Sequence, residues 1–285
     1  MNCIVLLQEE KIKNVISLRT FFSYFQTVNP YLLSAVCIFA FMCTMFVIAQ
    51  LIKNNSIVDI GWGVGFIIVT VVTFFAFGDD RFHQKLVSYL VIVWALRLSI
   101  YIGIRNIGQP EDFRYANWRK EWGSNFLLRS FLQVFMLQGA IMFINVLPVI
   151  VVNSDLSVFQ SYKVLYPSGV AVWAIGFFFE ALGDYQMYMF KSSHHPKGKV
   201  MDSGLWKFTR HPNYFGEAVM WWGIFLLAIP SGMWYLSVLA PITITFLLLK
   251  VSGVTLLEKK YDGNDAYSKY KRNTNSFIPW FPKNK

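Results

Sequence analysis

The 285-residue chain is 55% hydrophobic and 18% aromatic but only 15% charged, a balance that excludes an ordinary soluble globular domain. Its net charge of +10 flanks apolar runs with no nucleic-acid recognition module in view, which argues against nucleic acid and for anionic headgroups, with a phosphate-bearing cofactor as the sharper alternative. Cys3 near the N-terminus and Cys37 and Cys43 in the first apolar run give neither a disulfide framework nor a CxxC ligand pair.

Hydropathy divides the chain into apolar runs at about 31–52, 57–77, 86–104, 131–152, 165–190, 214–230 and 232–257. Most approach the roughly 20 residues that carry a helix across a bilayer. The expected fold is all-α: a polytopic membrane helical bundle of about seven transmembrane helices. Strands are not expected, because a spanning sheet must close into a barrel and the in/out alternation it needs is missing. The MNCIVLLQEEKIK start is too short and too charged for a signal peptide. Residues 1–30 are read as a non-membrane segment and 31–285 as one membrane domain, with inserts at 105–130 and 191–213 and a polar tail.

With seven spans, 19 basic residues fall on one side and six on the other. The positive-inside rule then makes the C-terminus and both inserts cytosolic. The tail, EKKYDGNDAYSKYKRNTNSFIPWFPK, is expected to fold back to the interface through its Tyr and Trp residues.

Ionisable groups at membrane depth are costly and invite partners. Asp59 opens the second run in SIVDIGWGVGF, where Gly61, Gly63 and Gly65 leave room for a neighbouring helix or a ligand. In the third run, Arg97, Tyr101 and Arg105 share one helix face at i, i+4 spacing and could hold carboxylates or phosphates; alternatively Arg97 pairs with Asp59 and Arg105 snorkels to headgroups. Glu180, Asp184 and Tyr188 repeat that spacing in the fifth run. Two carboxylates a turn apart call for cations or hydrogen-bond donors, and a ribose, an amide, Arg97 or Lys191 would serve.

The stretch GLWKFTRHPNYFGEAVMWWGIFLLAIP joins a polar cluster to an apolar run. Pro212 disfavours helix at His211 and suits the first turn of a helix that begins with it. Asn213, Tyr214 and Glu217 then lie in the opening turns, where free N–H groups with Lys199, Lys207 and Arg210 make an anion site. His194, His195 and His211 match no metal-ligand spacing.

RHPNYFGE, with its GLW turn and FIPW tail, resembles the superfamily of steroid 5-alpha-reductases, sterol reductases and isoprenylcysteine carboxyl methyltransferases. VDIGWGVGF, WALRL with GQPEDFRYANWR, and LLEKKYDGNDAYSKYKRNTNSFIPWFP resemble the family catalogued as domain of unknown function 1295, over about residues 56–283. The resemblance implies NADPH bound from the cytosol by Arg105, Asp184, Lys199, Arg210, His211, Asn213, Tyr214, Glu217, Tyr261 and Tyr267. It also implies reduction of a carbonyl-conjugated C=C bond in a bilayer lipid, a steroid, sterol or enoyl lipid, with Asp59, Tyr101 and Arg97 stabilising the enolate. Where the steroid enzymes carry a substrate-polarising tyrosine, Trp94 stands here; an indole donates a hydrogen bond but no useful proton, so steroid specificity is not implied. Methyl transfer from S-adenosylmethionine is the alternative, and a lipid-binding scaffold the non-enzymatic one. The expected partners are the membrane and its lipid, with no obligate protein; the expected location is the endoplasmic reticulum in a eukaryote or the plasma membrane in a bacterium.

Overall fold

A computed structural model describes residues 20, 22, 24–156, 164–196, 198–251, 253–259, 261 and 263–283. Most of the expected N-terminal segment, residues 1–30, therefore lies outside the described residues, as do Cys3, Lys11, Lys13, Arg19 and Lys163. Every regular element among the described residues is helical. The chain divides into two compact units, residues 1–158 and 159–285.

In the first unit, α1 (Pro30–Leu51) starts where Pro30 occupies the first turn and the Asn29 side chain accepts from the N–H groups of Tyr31 and Leu32 at 2.9 and 3.2 Å, satisfying donors that a helix start leaves open. Next come α2 (Ile57–Phe77), α3 (Phe82–Asn106) and α4 (Phe113–Trp122). A π-helical stretch, Ser130–Met136, then runs into α5 (Leu137–Ser154). The three glycines of GWGVG face three different neighbours. A Cβ on Gly61 would meet Met45 Sδ of α1 at 2.9 Å, on Gly63 the Ala95 carbonyl of α3 at 2.3 Å, and on Gly65 the Met142 Cε of α5 at 2.5 Å. They are packing glycines that let α2 run through the middle of the unit. Trp94 is fully buried and meets Phe66 edge to face at 5.1 Å. At the far end of α2, Asn153 donates to Thr73 Oγ1 at 3.0 Å and accepts from Ser88 Oγ at 3.2 Å, tying α5 to α2 and α3.

The second unit contains α6 (Leu165–Ser192), α7 (Pro212–Ala228), α8 (Trp234–Val251), α9 (Val254–Lys259) and α10 (Asp265–Asn273). Glycines at heptad spacing hold α6 against α7. A Cβ on Gly176 would lie 2.3 Å from the Met220 backbone nitrogen, on Gly216 2.3 Å from the Glu180 nitrogen, and on Gly223 2.5 Å from the Trp173 nitrogen. The contacts climb α6 as they descend α7, so the pair is antiparallel and backbone touches backbone.

Six described helices are long and apolar enough to cross a membrane: Pro30–Leu51, Ile57–Phe77, Phe82–Asn106, Phe113–Ser154, Leu165–Ser192 and Trp234–Val251. The remaining predicted run, 214–230, forms α7. At 17 residues it is about 26 Å long at 1.5 Å per residue, just short of the roughly 30 Å hydrocarbon layer.

Candidate functional site

In the second unit the local sequence fixes the site's frame. His211 is extended (φ −140°, ψ 64°) and the helix begins at Pro212, as the ring's steric demand requires. Gly183 lets the start of α7 approach α6, since a Cβ there would meet the Asn213 nitrogen at 3.1 Å. That approach delivers the Asn213 side chain to Asp184, to which it donates at 3.0 Å. Asp184 is 5% exposed and Glu180, a turn away, 2%. Both carboxylates expected on one face of α6 are thus buried, and the first turn of α7 supplies an amide donor to one of them.

Arg210 has a different role from the anion contact its position suggested. Its Nε and Nη2 donate to Glu258 Oε1 at 2.9 and 2.6 Å. Its Nη1 donates to the carbonyl oxygens of Lys271 and Thr274. Lys271 Nζ takes the other Glu258 oxygen at 2.9 Å, and His211 Nε2 lies 3.6 Å from Oε1. Burial by itself would raise the Glu258 carboxyl, but the adjacent His211 imidazole and hydrogen bonds from Lys271 and Arg210 hold it down at about 2. Tyr270 donates to the Trp206 carbonyl, Trp206 Nε1 to the Gly183 carbonyl at 3.1 Å, and the Arg210 N–H to the Asn275 carbonyl at 2.8 Å. The tail therefore folds back onto the RHPN turn and clasps it.

Around this frame, Tyr214 stacks on His211 at 5.4 Å, and Tyr261 on Tyr267 at 4.5 Å. Burial, then the Glu258 charge, pushes the Tyr267 phenol up to about 12, so it stays a donor at neutral pH. Glu217 lies partly buried one turn after Asn213. Lys199 is exposed, its Nζ 3.5 Å from His195 Nδ1, and both line a cavity of about 470 Å³ with Tyr185, Gln186, Asp202 and Ser203.

The first unit carries a second polar cluster. Asp59 Oδ1 accepts from the Tyr115 hydroxyl at 2.7 Å and Oδ2 from Arg114 Nη2 at 3.2 Å. Tyr115 also accepts from Gln138 at 3.2 Å. Arg114 Nε donates to Asp112 at 2.9 Å. Burial would raise the Asp112 carboxyl, but its hydrogen bonds from Arg114 hold it below the usual carboxylate range. Arg97 and Tyr101 lie partly buried on α3, whereas Arg105 is exposed at its end, its guanidinium over the Tyr101 ring at 5.7 Å.

Arg114, Tyr115, Glu258 and Lys271 are the residues that sequence reasoning passed over. The available signal was the mixed-charge EDFR segment and the acid that closes the last apolar run, but neither names its partner.

These features define a multi-pass helical membrane protein with a buried carboxylate-amide pair at a helix start. The chain belongs to the family described as protein of unknown function (DUF1295), whose profile matches residues 45–274. No curated protein and no solved structure matches it.

Proposed function

We propose that the protein is an NADPH-dependent membrane oxidoreductase that reduces a carbonyl-conjugated C=C bond of a bilayer lipid, a steroid, sterol or enoyl lipid. The observation that carries the reading is the Asp184–Asn213 pair, a buried carboxylate and an amide at the first turn of α7; the same unit carries the cavity lined by Lys199 and His195. Buried carboxylates accept hydroxyl and amide protons of the kind a ribose and a carboxamide present. Lys199, at the rim, answers a phosphate charge. The cavity is of the size that small-ligand sites use. The cofactor would supply hydride; the chain's own groups bind and orient it. Arg210 and Glu258 act by holding the RHPN turn in place.

The polar end of a lipid, where charge develops as an enone is reduced, calls for donors; in the first unit Arg97 and Tyr101 on α3 carry them, and Asp59 orients Tyr115 and Arg114 by accepting from both. The positive-inside bias supports a cytosolic cofactor mouth and C-terminus.

A ligand that binds only the folded state raises its stability. Detergent-purified protein titrated in parallel with NADPH, NADH and S-adenosylmethionine should show its largest rise in melting temperature with NADPH. Asn213→Ala should abolish that rise. Lys199→Ala should weaken NADPH binding on the order of 10-fold, the loss of one charge-assisted contact, and leave NADH nearly unchanged. A rise with S-adenosylmethionine alone would transfer the site to methyl transfer of the isoprenylcysteine carboxyl methyltransferase type. No rise with any of the three would sink the enzymatic reading.

A further inference from the structure

We propose that the first unit carries a binding site for an anionic phospholipid, with one acyl chain lying between the end of α1 and the π-helical start of α5 and the phosphate held by Lys53 and Arg129. This does not depend on the reductase reading.

The site begins with a groove of about 490 Å³ whose walls are Phe46, Val47 and Leu51 on one side and Leu127, Leu128 and Phe131 on the other. Leu51 is 78% exposed and Leu128 63%. Phe46 and Phe131 meet edge to face at 5.2 Å. One of its walls runs into the π-helical stretch Ser130–Met136, to which Phe131 belongs. A π turn is wider than an α turn, and such turns concentrate at functional sites. In a membrane-spanning protein an apolar channel of this shape is filled by hydrocarbon.

Charge selects the headgroup. Lys53 follows the last residues of α1, and Arg129 follows Leu128 directly. No acidic residue lies between 45 and 55 or between 126 and 136. Lys53 is also one of two non-glycine residues with positive φ among the described residues, at 53°. Asn54 N–H bonds back to the Ala49 carbonyl at 2.9 Å, closing α1 in the manner normally given to glycine. A glycine would sit there without the left-handed cost, on the order of 1 kcal/mol.

Gln50, in the groove wall, leads into a polar network beyond it. Gln50 donates to Asn55 Oδ1 at 3.2 Å, and Asn55 Nδ2 donates to Ser130 Oγ at 2.8 Å, where both Asn55 and Ser130 are buried. Asn55 N–H also donates at 2.8 Å to Glu111, which is paired to Arg119 through both oxygens at 2.9 Å. A lipid seated here thus rests on the residues that anchor the segment leading to Asp59 and Tyr115. Nearby, Trp118 and Trp122 stack at 5.4 Å on α4, the residue type that marks the headgroup level.

Native mass spectrometry of delipidated protein in detergent, titrated with phosphatidylglycerol and with phosphatidylcholine, tests this. Phosphatidylglycerol should bind about 10-fold more tightly, in line with two basic contacts, and should raise the melting temperature. The double variant Lys53→Gln with Arg129→Gln should erase that preference while keeping weak binding of both lipids. Leu128→Trp, and independently Val47→Trp on the opposite wall, should reduce binding of both. All four positions are on the surface, so melting without lipid should stay within a few degrees of the parent. The proposal is overturned if the preference survives the double variant, if neither tryptophan reduces lipid binding, or if the groove proves to be closed by a second copy of the chain.

Discussion

At the scale of single residues, two acids control the two units by different means. Glu258 faces Arg210, Lys271 and His211 with little exposure to solvent. Glu258→Gln leaves the Arg210 guanidinium buried without its counter-charge and should destabilise the second unit by about 3 kcal/mol, the range for breaking one partner of a buried pair; chemical denaturation in detergent would measure it. The pH dependence has a definite sign. The folded Glu258 carboxyl lies at about 2, below its ordinary value of 4.5. Its stabilisation is therefore complete above 4.5 and lost as pH falls toward 2. The melting temperature of the parent should drop across that window by more than that of Glu258→Gln. Asp59 depends on neutral donors as well as charge. Tyr115→Phe removes a 2.7 Å hydrogen bond to it and should cost about 1 to 2 kcal/mol. If the first unit binds the lipid's polar end, the same variant should lower turnover while leaving NADPH affinity unchanged.

At the scale of elements, the decisive contact is α6 against α7. Backbone lies where a side chain would go, so no rotamer change can relieve an added methyl group. Gly176→Ala should force the helices apart, displacing Asn213 from Asp184 as well as lowering stability by several kcal/mol, beyond the range of ordinary overpacking. Gly103→Ala is the matched control. Its Cβ would meet Ile107 and Ile60 only at 3.7 and 3.9 Å, so the substitution should be neutral or slightly stabilising through helix propensity. Limited proteolysis and melting of the two variants side by side would separate these outcomes.

For the whole molecule, the charge bias predicts a cytosolic C-terminus. A reporter fused after Lys285 should be active on the cytosolic side, and a lumenal or periplasmic signal would reverse the assignment. Because α7 is short for the bilayer, a second reporter placed before α1 is needed to decide whether it crosses as a full span: opposite sides for the two reporters mean that it does, the same side that it does not. The fold-back of the tail was legible in sequence, since Tyr267, Tyr270 and Trp280 follow the last apolar run. What the tail holds was not. Arg210 reads as part of an anion site until Glu258, 48 residues away, is brought beside it.

Hydrophobic length, proline placement and charge asymmetry are local quantities. The sequence by itself therefore determined an all-helical membrane protein, the bounds of its first, second and fifth apolar helices to within a few residues, and a helix starting at Pro212. It also singled out Glu180 and Asp184, which are buried, because an ionisable residue within an apolar run has few other places to go, but it passed over Glu258. Partner choice came only with tertiary structure. Asp59 is held by Arg114 and Tyr115, Asp184 by Asn213, and Arg210 by the tail, because each pairing depends on how closely two helices or loops approach. For Asp184 and Asn213 that distance is set by Gly176, Gly183 and Gly216, which face backbone across α6 and α7, a long-range steric fact that no local window of sequence contains.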